Sequence, residues 1–203
     1  KVTADMKTKN MTDKPVLEAK AKPVAGSSKA SSSAPAAKKP ANTYLSKGTW
    51  FVEYHEGAHN IKLENVQLKE NIYILKCKDA TITIPDKCKS VQVDACNKVT
   101  IIFKSIVSVF EIFNSQRIRI DCQESVPSIA IDKSAGVIVQ LSRAAVANPP
   151  ALITSSITEV NLTVPGPTDE DDPVEIPLPE QYETKLVPGQ YKLTTEAVKH
   201  SSN

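Results

Sequence analysis

Three histidines, four cysteines and one run of carboxylates are where chemistry would first be sought in this 203-residue chain. His55, His59 and His200 stand in no Ser/His/Asp order and in no metal-ligand spacing, and the six glycines form no phosphate-cradling loop. The carboxylates of Pro165-Gly166-Pro167-Thr168-Asp169-Glu170-Asp171-Asp172-Pro173 lack the Asp/Gly/Glu spacing of a calcium loop, so they read as a solvated acidic loop. Cys77, Cys88, Cys96 and Cys122 are even in number, as disulfides require. With no secretory signal to accompany them, reduced and buried thiols are expected. Neither catalysis nor a bound cofactor or metal is expected. What remains is a set of exposed aromatic, apolar and charged positions at a constant spacing: Tyr73, Gln92, Glu111 and Ala130, then Leu75, Asp94, Phe113 and Asp132, then Lys76, Asn114 and Lys133. Such a mixture is suited to holding another protein.

That spacing is nineteen residues, and it governs the chain from Ala58 to Gly136. Ile61, Ala80, Val99, Ile118 and Val137 form one apolar column, and Leu63, Ile82, Ile101, Ile120 and Val139 a second. Half a repeat on, Ile72, Val91, Phe110 and Ile129 form a third, and Ile74, Val93, Ile112 and Ile131 a fourth. A fifth holds only small residues, Ala58, Cys77, Cys96, Ser115 and Ser134, as a tight corner requires. A fixed period near twenty marks a solenoid. Within each repeat the apolar residues alternate in short β-branched runs, which selects strands over helices. Strands one repeat apart that keep the same face inward must stack parallel and in register. The chain is therefore expected to be an all-β protein, a parallel β-helix of about six coils. Its acyltransferase and polysaccharide-cleaving relatives in architecture need a six-residue period or clustered outer carboxylates, and neither is present.

Trp50, Val52 and Tyr54 alternate behind Gly48 as an entering strand, and Trp50 with Phe51 is expected to cover the first coil. At Arg143 to Ala151 the register slips by about four residues around Asn148-Pro149-Pro150. Ile153, Ile157, Val160, Leu162 and Val164 then resume the inward pattern for a last coil. Beyond the acidic loop, Tyr182 to Val187 and Gln190 to Thr195 flank Pro188-Gly189 as a β-hairpin. A hairpin after the end of a solenoid has nothing of its own to pair with, so it is expected to meet another chain.

Charge divides the chain unevenly. Residues 1–43 carry nine Lys against Asp5, Asp13 and Glu18, which leaves the remainder acidic although the net charge is +2. From Lys1 to Ala41 the sequence is Lys, Ala, Ser and Pro without an aromatic residue, the composition of a disordered arm and linker. Val2, Met6 and Met11 suggest a short amphipathic segment that orders on a partner. The expected divisions are an arm at 1–43, a β-helix at 44–164, and an acidic loop with a dimerisation hairpin at 165–203. No stretch is long or apolar enough to span a membrane. The first residue is not Met, and the chain is expected to be a fragment.

Asn71-Ile72-Tyr73-Ile74-Leu75-Lys76-Cys77, Val91-Gln92-Val93-Asp94-Ala95-Cys96, Glu111-Ile112-Phe113-Asn114-Ser115, Pro177-Leu178-Pro179-Glu180-Gln181-Tyr182 and Gly189-Gln190-Tyr191-Lys192-Leu193 resemble, in this order, the carboxy-terminal half of cyclase-associated protein. Lys1-Val2-Thr3-Ala4-Asp5-Met6-Lys7-Thr8 is similar to the end of that family's WASP-homology actin-binding motif, without the Leu that precedes the Val there. The resemblance implies a right-handed β-helix that dimerises by exchanging its terminal hairpin, here through Tyr182, Leu186, Tyr191 and Leu193. It also implies a cytoplasmic protein of the actin cytoskeleton. Such a protein binds ADP-actin monomers, with cofilin-bound actin as a further partner, and promotes their exchange to ATP-actin. On this chain the actin contacts would fall to Lys1, Val2, Met6 and Lys7 on the arm and to Tyr73, Leu75, Lys76, Gln92, Asp94, Glu111, Phe113, Asn114 and Lys133 on the β-helix. Nucleic acid and membrane are not among the expected partners. A second likeness is looser: Gln116-Arg117-Ile118-Arg119-Ile120-Asp121-Cys122 resembles the arginine-finger motif of tubulin-folding cofactor C, which would make Arg119 a GTPase-activating residue.

Overall fold

Residues 39–168 and 170–198 are described by the computed structural model; the arm with Lys1, Val2, Met6 and Lys7 lies outside them. The chain enters through β1 (Asn42–Ser46), β2 (Thr49–Glu53), β3 (Ile61–Lys62), β4 (Asn71–Leu75) and β5 (Lys78–Ile84). It continues through β6 (Ser90–Asp94), β7 (Asn97–Ser105), β8 (Val109–Phe113), β9 (Gln116–Ser125), β10 (Ser128–Asp132) and β11 (Ala135–Leu141). A short helix α1 (Arg143–Ala147) precedes β12 (Ala151–Ser155), β13 (Thr158–Val164) and β14 (Val174–Pro177), and β15 (Tyr182–Leu186) and β16 (Leu193–Ala197) close the chain.

Even-numbered strands from β2 to β12 stack in parallel in a first sheet, and odd-numbered strands from β3 to β13 in a second. This is the expected parallel β-helix of six coils. Side chains alternate inward and outward along each strand, so β4, β6, β8 and β10 each bury their second and fourth residues. The buried set is mostly Ile and Val, whose branched Cβ fits a pleated surface. Phe103 and Phe110 are the largest side chains of the core and meet across it with ring centroids 5.2 Å apart.

The corner from the first sheet to the second repeats from coil to coil. Lys76 and Asp79, Ala95 and Lys98, Asn114 and Arg117, and Ser156 and Glu159 all take φ between 49° and 57°; Lys133 takes 46° and Gly136 65°. A left-handed backbone costs a residue other than Gly roughly 1–2 kcal/mol. What offsets that cost lies between the two positions. Ser134 Oγ accepts from Ser115 N at 3.1 Å and donates to Asp132 O at 2.8 Å. Ser115 Oγ accepts from Cys96 N at 3.1 Å and donates to Phe113 O at 2.9 Å. Cys96 Sγ receives Cys77 N at 3.4 Å and donates to Asp94 O at 3.3 Å. The small-residue column is thus a hydrogen-bond ladder and more than a steric fit.

Outside the middle coils the structure corrects the sequence columns. Thr49 lies opposite Asn71, so the first coil is longer than nineteen residues. Ile61 consequently faces Ile82 rather than Ala80. His55, not Ala58, stands over Cys77: Lys78 N bonds His55 O at 2.8 Å as Asn97 N bonds Cys77 O at 3.0 Å. Helix α1 lengthens the last coil and pairs Leu152 with Ile129, which turns Ile153 outward instead of inward. The first coil is covered by antiparallel β1, held by His55 Nε2 against Thr43 Oγ1 at 2.8 Å and Asn42 O at 3.2 Å. Trp50 is half-buried and donates Nε1 to Glu70 at 2.9 Å, but Phe51 points outward, onto the outer face of the first sheet and away from the core. At the far end β14 runs antiparallel to β13. The terminal hairpin forms with a longer turn than Pro188-Gly189 alone: Leu186 pairs with Leu193, and Val187 N bonds Lys192 O at 2.9 Å.

Candidate functional site

The outer face of the first sheet gathers the β-helix positions singled out in the sequence. Strand pairing sets Phe51, Tyr73, Gln92, Glu111, Ala130 and Ile153 in one column, and Glu53, Leu75, Asp94, Phe113, Asp132 and Ser155 in the next. Lys76, Asn114 and Lys133 follow at the left-handed corner, where their side chains are exposed. Hydrogen bonds join the face along the stack. Tyr73 Oη donates to Asp94 Oδ2 at 3.0 Å, Asn114 Nδ2 to Asp94 Oδ1 at 3.2 Å, and Gln92 Nε2 to Glu111 Oε2 at 2.6 Å. Burial, followed by the hydrogen bond to Asp94, pushes the Tyr73 phenol up to about 12. Leu75 and Phe113 stay half-exposed between the carboxylates. A shallow concavity of about 370 Å³ opens beside Phe113, lined by Glu111, Asn114, Asp132 and Lys133.

Sequence reasoning missed the two ends of this face. Tyr44 stacks on Phe51 at 5.1 Å, and Phe51 meets the edge of Tyr73 at 6.0 Å, so one end is a cluster of three rings. The other end is Ile153, 59% exposed. Alternation along β2, with Trp50 and Val52 inward, already places Phe51 outward; the position of Tyr44 depends on the β1 pairing, which leaves no periodic trace.

The carboxylates of the face bond neighbouring side chains, and no group of three or more His, Cys, Asp or Glu able to hold a metal occurs among the described residues. In the acidic loop, Asp171 accepts from Thr168 N and Oγ1 at 2.8 and 2.7 Å, bonds that hold its carboxyl below the usual range. The four cysteines are free and buried. Burial pushes Cys88 and Cys122 up to about 11, and the Cys96 thiol is held high by its contact with Cys77 and by burial; the same contact lowers the Cys77 thiol, which is itself buried at the corner. Arg119 is exposed on the second sheet, where its guanidinium donates to Gln140 Oε1.

The hairpin stands apart from both sheets. Strands β15 and β16 pair only with each other in the sheet order, and Tyr182, Leu186, Tyr191 and Leu193 are all exposed, Leu186 at 65% and Leu193 at 62%.

A family model described as adenylate cyclase associated (CAP) C terminal matches residues 39–200, the β-helix and its hairpin together. The chain belongs to the cyclase-associated protein family. Adenylyl cyclase-associated protein of Dictyostelium discoideum is 35% identical over 201 residues, 98% of this chain and 41% of that protein. Cyclase-associated protein 1 of Arabidopsis thaliana is 33% identical over 204 residues, 99% of this chain and again 41% of the relative. The chain thus spans less than half the length of these relatives. The crystal structure of cyclase-associated protein from Cryptosporidium parvum superimposes with a TM-score of 0.74 at 27% identity, covering 79% of this chain and 96% of that one. The GTPase-activating reading of Arg119 finds no support among these cyclase-associated proteins.

Proposed function

We propose that this chain binds actin monomers, takes the ADP-loaded form in preference, and promotes exchange to ATP-actin without a catalytic step of its own. The observation that carries the reading is the outer face of the first sheet. Six parallel strands spaced about 4.8 Å apart present aromatic rings at one end, Ile153 at the other and hydrogen-bonded carboxylates with Leu75 and Phe113 between. In a member of the cyclase-associated protein family, such a face suits a broad protein partner. Lys1, Val2, Met6 and Lys7 would add a second contact on the same monomer, and cofilin-bound actin in the cytoplasm is the form this reading expects the protein to meet. The mechanism is differential binding. A protein shifts a partner's equilibrium only by its difference in affinity for the two states, so tighter binding to ADP-actin must accompany faster nucleotide release. Release of a fluorescent nucleotide from actin monomers is expected to accelerate with this chain, and the acceleration to fall about tenfold or more in Phe113→Asp, which sets a charge amid the carboxylates. Equal affinity for both nucleotide states together with unchanged release would sink the mechanism.

The hairpin supports a second element of the reading, a homodimer. An isolated two-stranded hairpin is marginal in water, and β12 leaves the last edge of the first sheet unpaired among the described residues. We infer that the hairpin of one copy, through Tyr182, Leu186, Tyr191 and Leu193, meets a second copy at this end of the β-helix. Removing the chain after Glu180 is expected to halve the solution mass; a truncated protein that stays dimeric excludes the hairpin as the main contact.

A further inference from the structure

The edge that returns the chain from the second sheet to the first carries a surface that the reading above does not use. Leu68 and Val107 are 57% and 48% exposed there and line a concavity of about 540 Å³ together with Gln67, Lys69 and Lys89. Lys47 and Lys87 stand on the same edge: Gly48 O accepts from Asn71 N at 2.9 Å beside Lys47, and Cys88, next to Lys87, bridges Ile106. The carboxylates nearest the concavity are engaged within the chain, and the exposed Glu64 of the same connection pairs with Lys62. Glu70 is 6% exposed and accepts from Trp50 Nε1 and Gln67 N, both at 2.9 Å, and Asp86 accepts from Val66 N at 3.2 Å. No described ion pair or side-chain hydrogen bond engages the ammonium groups of Lys47, Lys69, Lys87 or Lys89, whereas Lys62, Lys78, Lys98 and Lys104 elsewhere all have carboxylate partners. The backbone beneath is held, with Lys89 N on Glu70 O and Ser108 N on Lys89 O, both at 2.9 Å, and Val107 N on Cys88 O at 3.0 Å.

We propose that this edge docks an acidic peptide segment of a partner protein, with one apolar side chain seated between Leu68 and Val107 and flanking carboxylates on Lys69 and Lys89. The occupant follows from charge and shape. Unpaired ammonium groups on a rigid rim call for carboxylates, and a hollow floored by two aliphatic side chains calls for a third. The apolar part is limited to Leu68 and Val107 in a concavity of about 540 Å³, which matches one peptide side chain.

The test uses the full chain and a fluorescein-labelled peptide of glutamates flanking a single leucine, followed by anisotropy. A control peptide carries serine in place of leucine, and a separate arm offers phosphatidylserine vesicles. Binding of the leucine peptide is expected to weaken about tenfold on the leucine-to-serine change, and by a similar factor in Lys69→Glu/Lys89→Glu and in Leu68→Ser/Val107→Ser. All four side chains are exposed, so the variants keep the fold, which circular dichroism checks. Nucleotide release from actin is expected to stay unchanged in both, which separates this site from the first-sheet face. Equal binding by wild type and both variants overturns the proposal, as does binding to vesicles without binding to the peptide.

Discussion

Five of the six coils turn from the first sheet to the second in the two residues between strands, through Cys77, Cys96, Ser115, Ser134 and Ile157. On the opposite edge the connections of the middle coils hold five, three and two residues because the strands before them lengthen from seven to nine to ten, and chain is added there only before β4, with eight residues, and at α1, with nine. The regular edge is regular because its polar groups leave no slack. Each buried hydroxyl or thiol joins the amide of the coil before it to a carbonyl of its own coil, and an inserted residue would break both bonds. The other edge satisfies its backbone by piecemeal means, such as Glu70, Asp86 and the cap of α1. It is therefore free to take an insertion such as α1 and to carry lysines and exposed aliphatics. One edge sets the repeat; the other is available for contacts with partners.

This contrast is most exposed to failure at Ser115. Replacing it with Ala removes the acceptor of Cys96 N and the donor to Phe113 O in a place with no access to water. Leaving buried backbone groups unpaired costs about 1–3 kcal/mol each, and a loss of about 3 kcal/mol is expected for Ser115→Ala. Ser108→Ala, an exposed serine on the irregular edge, should stay within about 0.5 kcal/mol. Urea unfolding monitored by circular dichroism measures both. A loss at Ser115 no larger than at Ser108 would show that the ladder only fills space.

The same difference decides what the sequence could reveal. Coils two to five were legible because the two-residue corner keeps the period at nineteen, so Ile72, Val91, Phe110 and Ile129 fall into line without any knowledge of the loops. Where the irregular edge or the entry loop changes length, the columns slipped: Ile61 was set over Ala80, Ala58 over Cys77, and Ile153 inward. The antiparallel caps β1 and β14 left no signal, since each is a single short strand whose partner is fixed only by tertiary pairing. The middle of the candidate face was therefore visible as Tyr73 to Lys133, and its ends, Tyr44 with Phe51 and Ile153, were not. The small-residue column was seen as a tight corner, yet its chemistry was open to inspection. From Cys77 to Ser134 every member carries an S–H or O–H, and Ala, equally small, is absent.

A smaller effect at Ser142 sharpens the comparison from the irregular side. Helix α1 is the insertion that lengthens the last coil, and Ser142 secures its start: Oγ accepts from Ala145 N at 3.2 Å and donates to Gln123 O at 2.6 Å. Ala145 is buried, so the insertion packs against the stack. Loss of a helix N-cap costs about 1 kcal/mol, and Ser142→Ala is expected to lower stability by that amount. The groups it frees lie nearer to water than those at Ser115, because Ser142 is only half-buried, and solvent can replace part of what is lost. Urea unfolding of the two variants side by side gives the ratio. A cost at Ser142 equal to that at Ser115 would mean that the variable edge is as integral to the fold as the regular one, and the division of labour between the edges would fail.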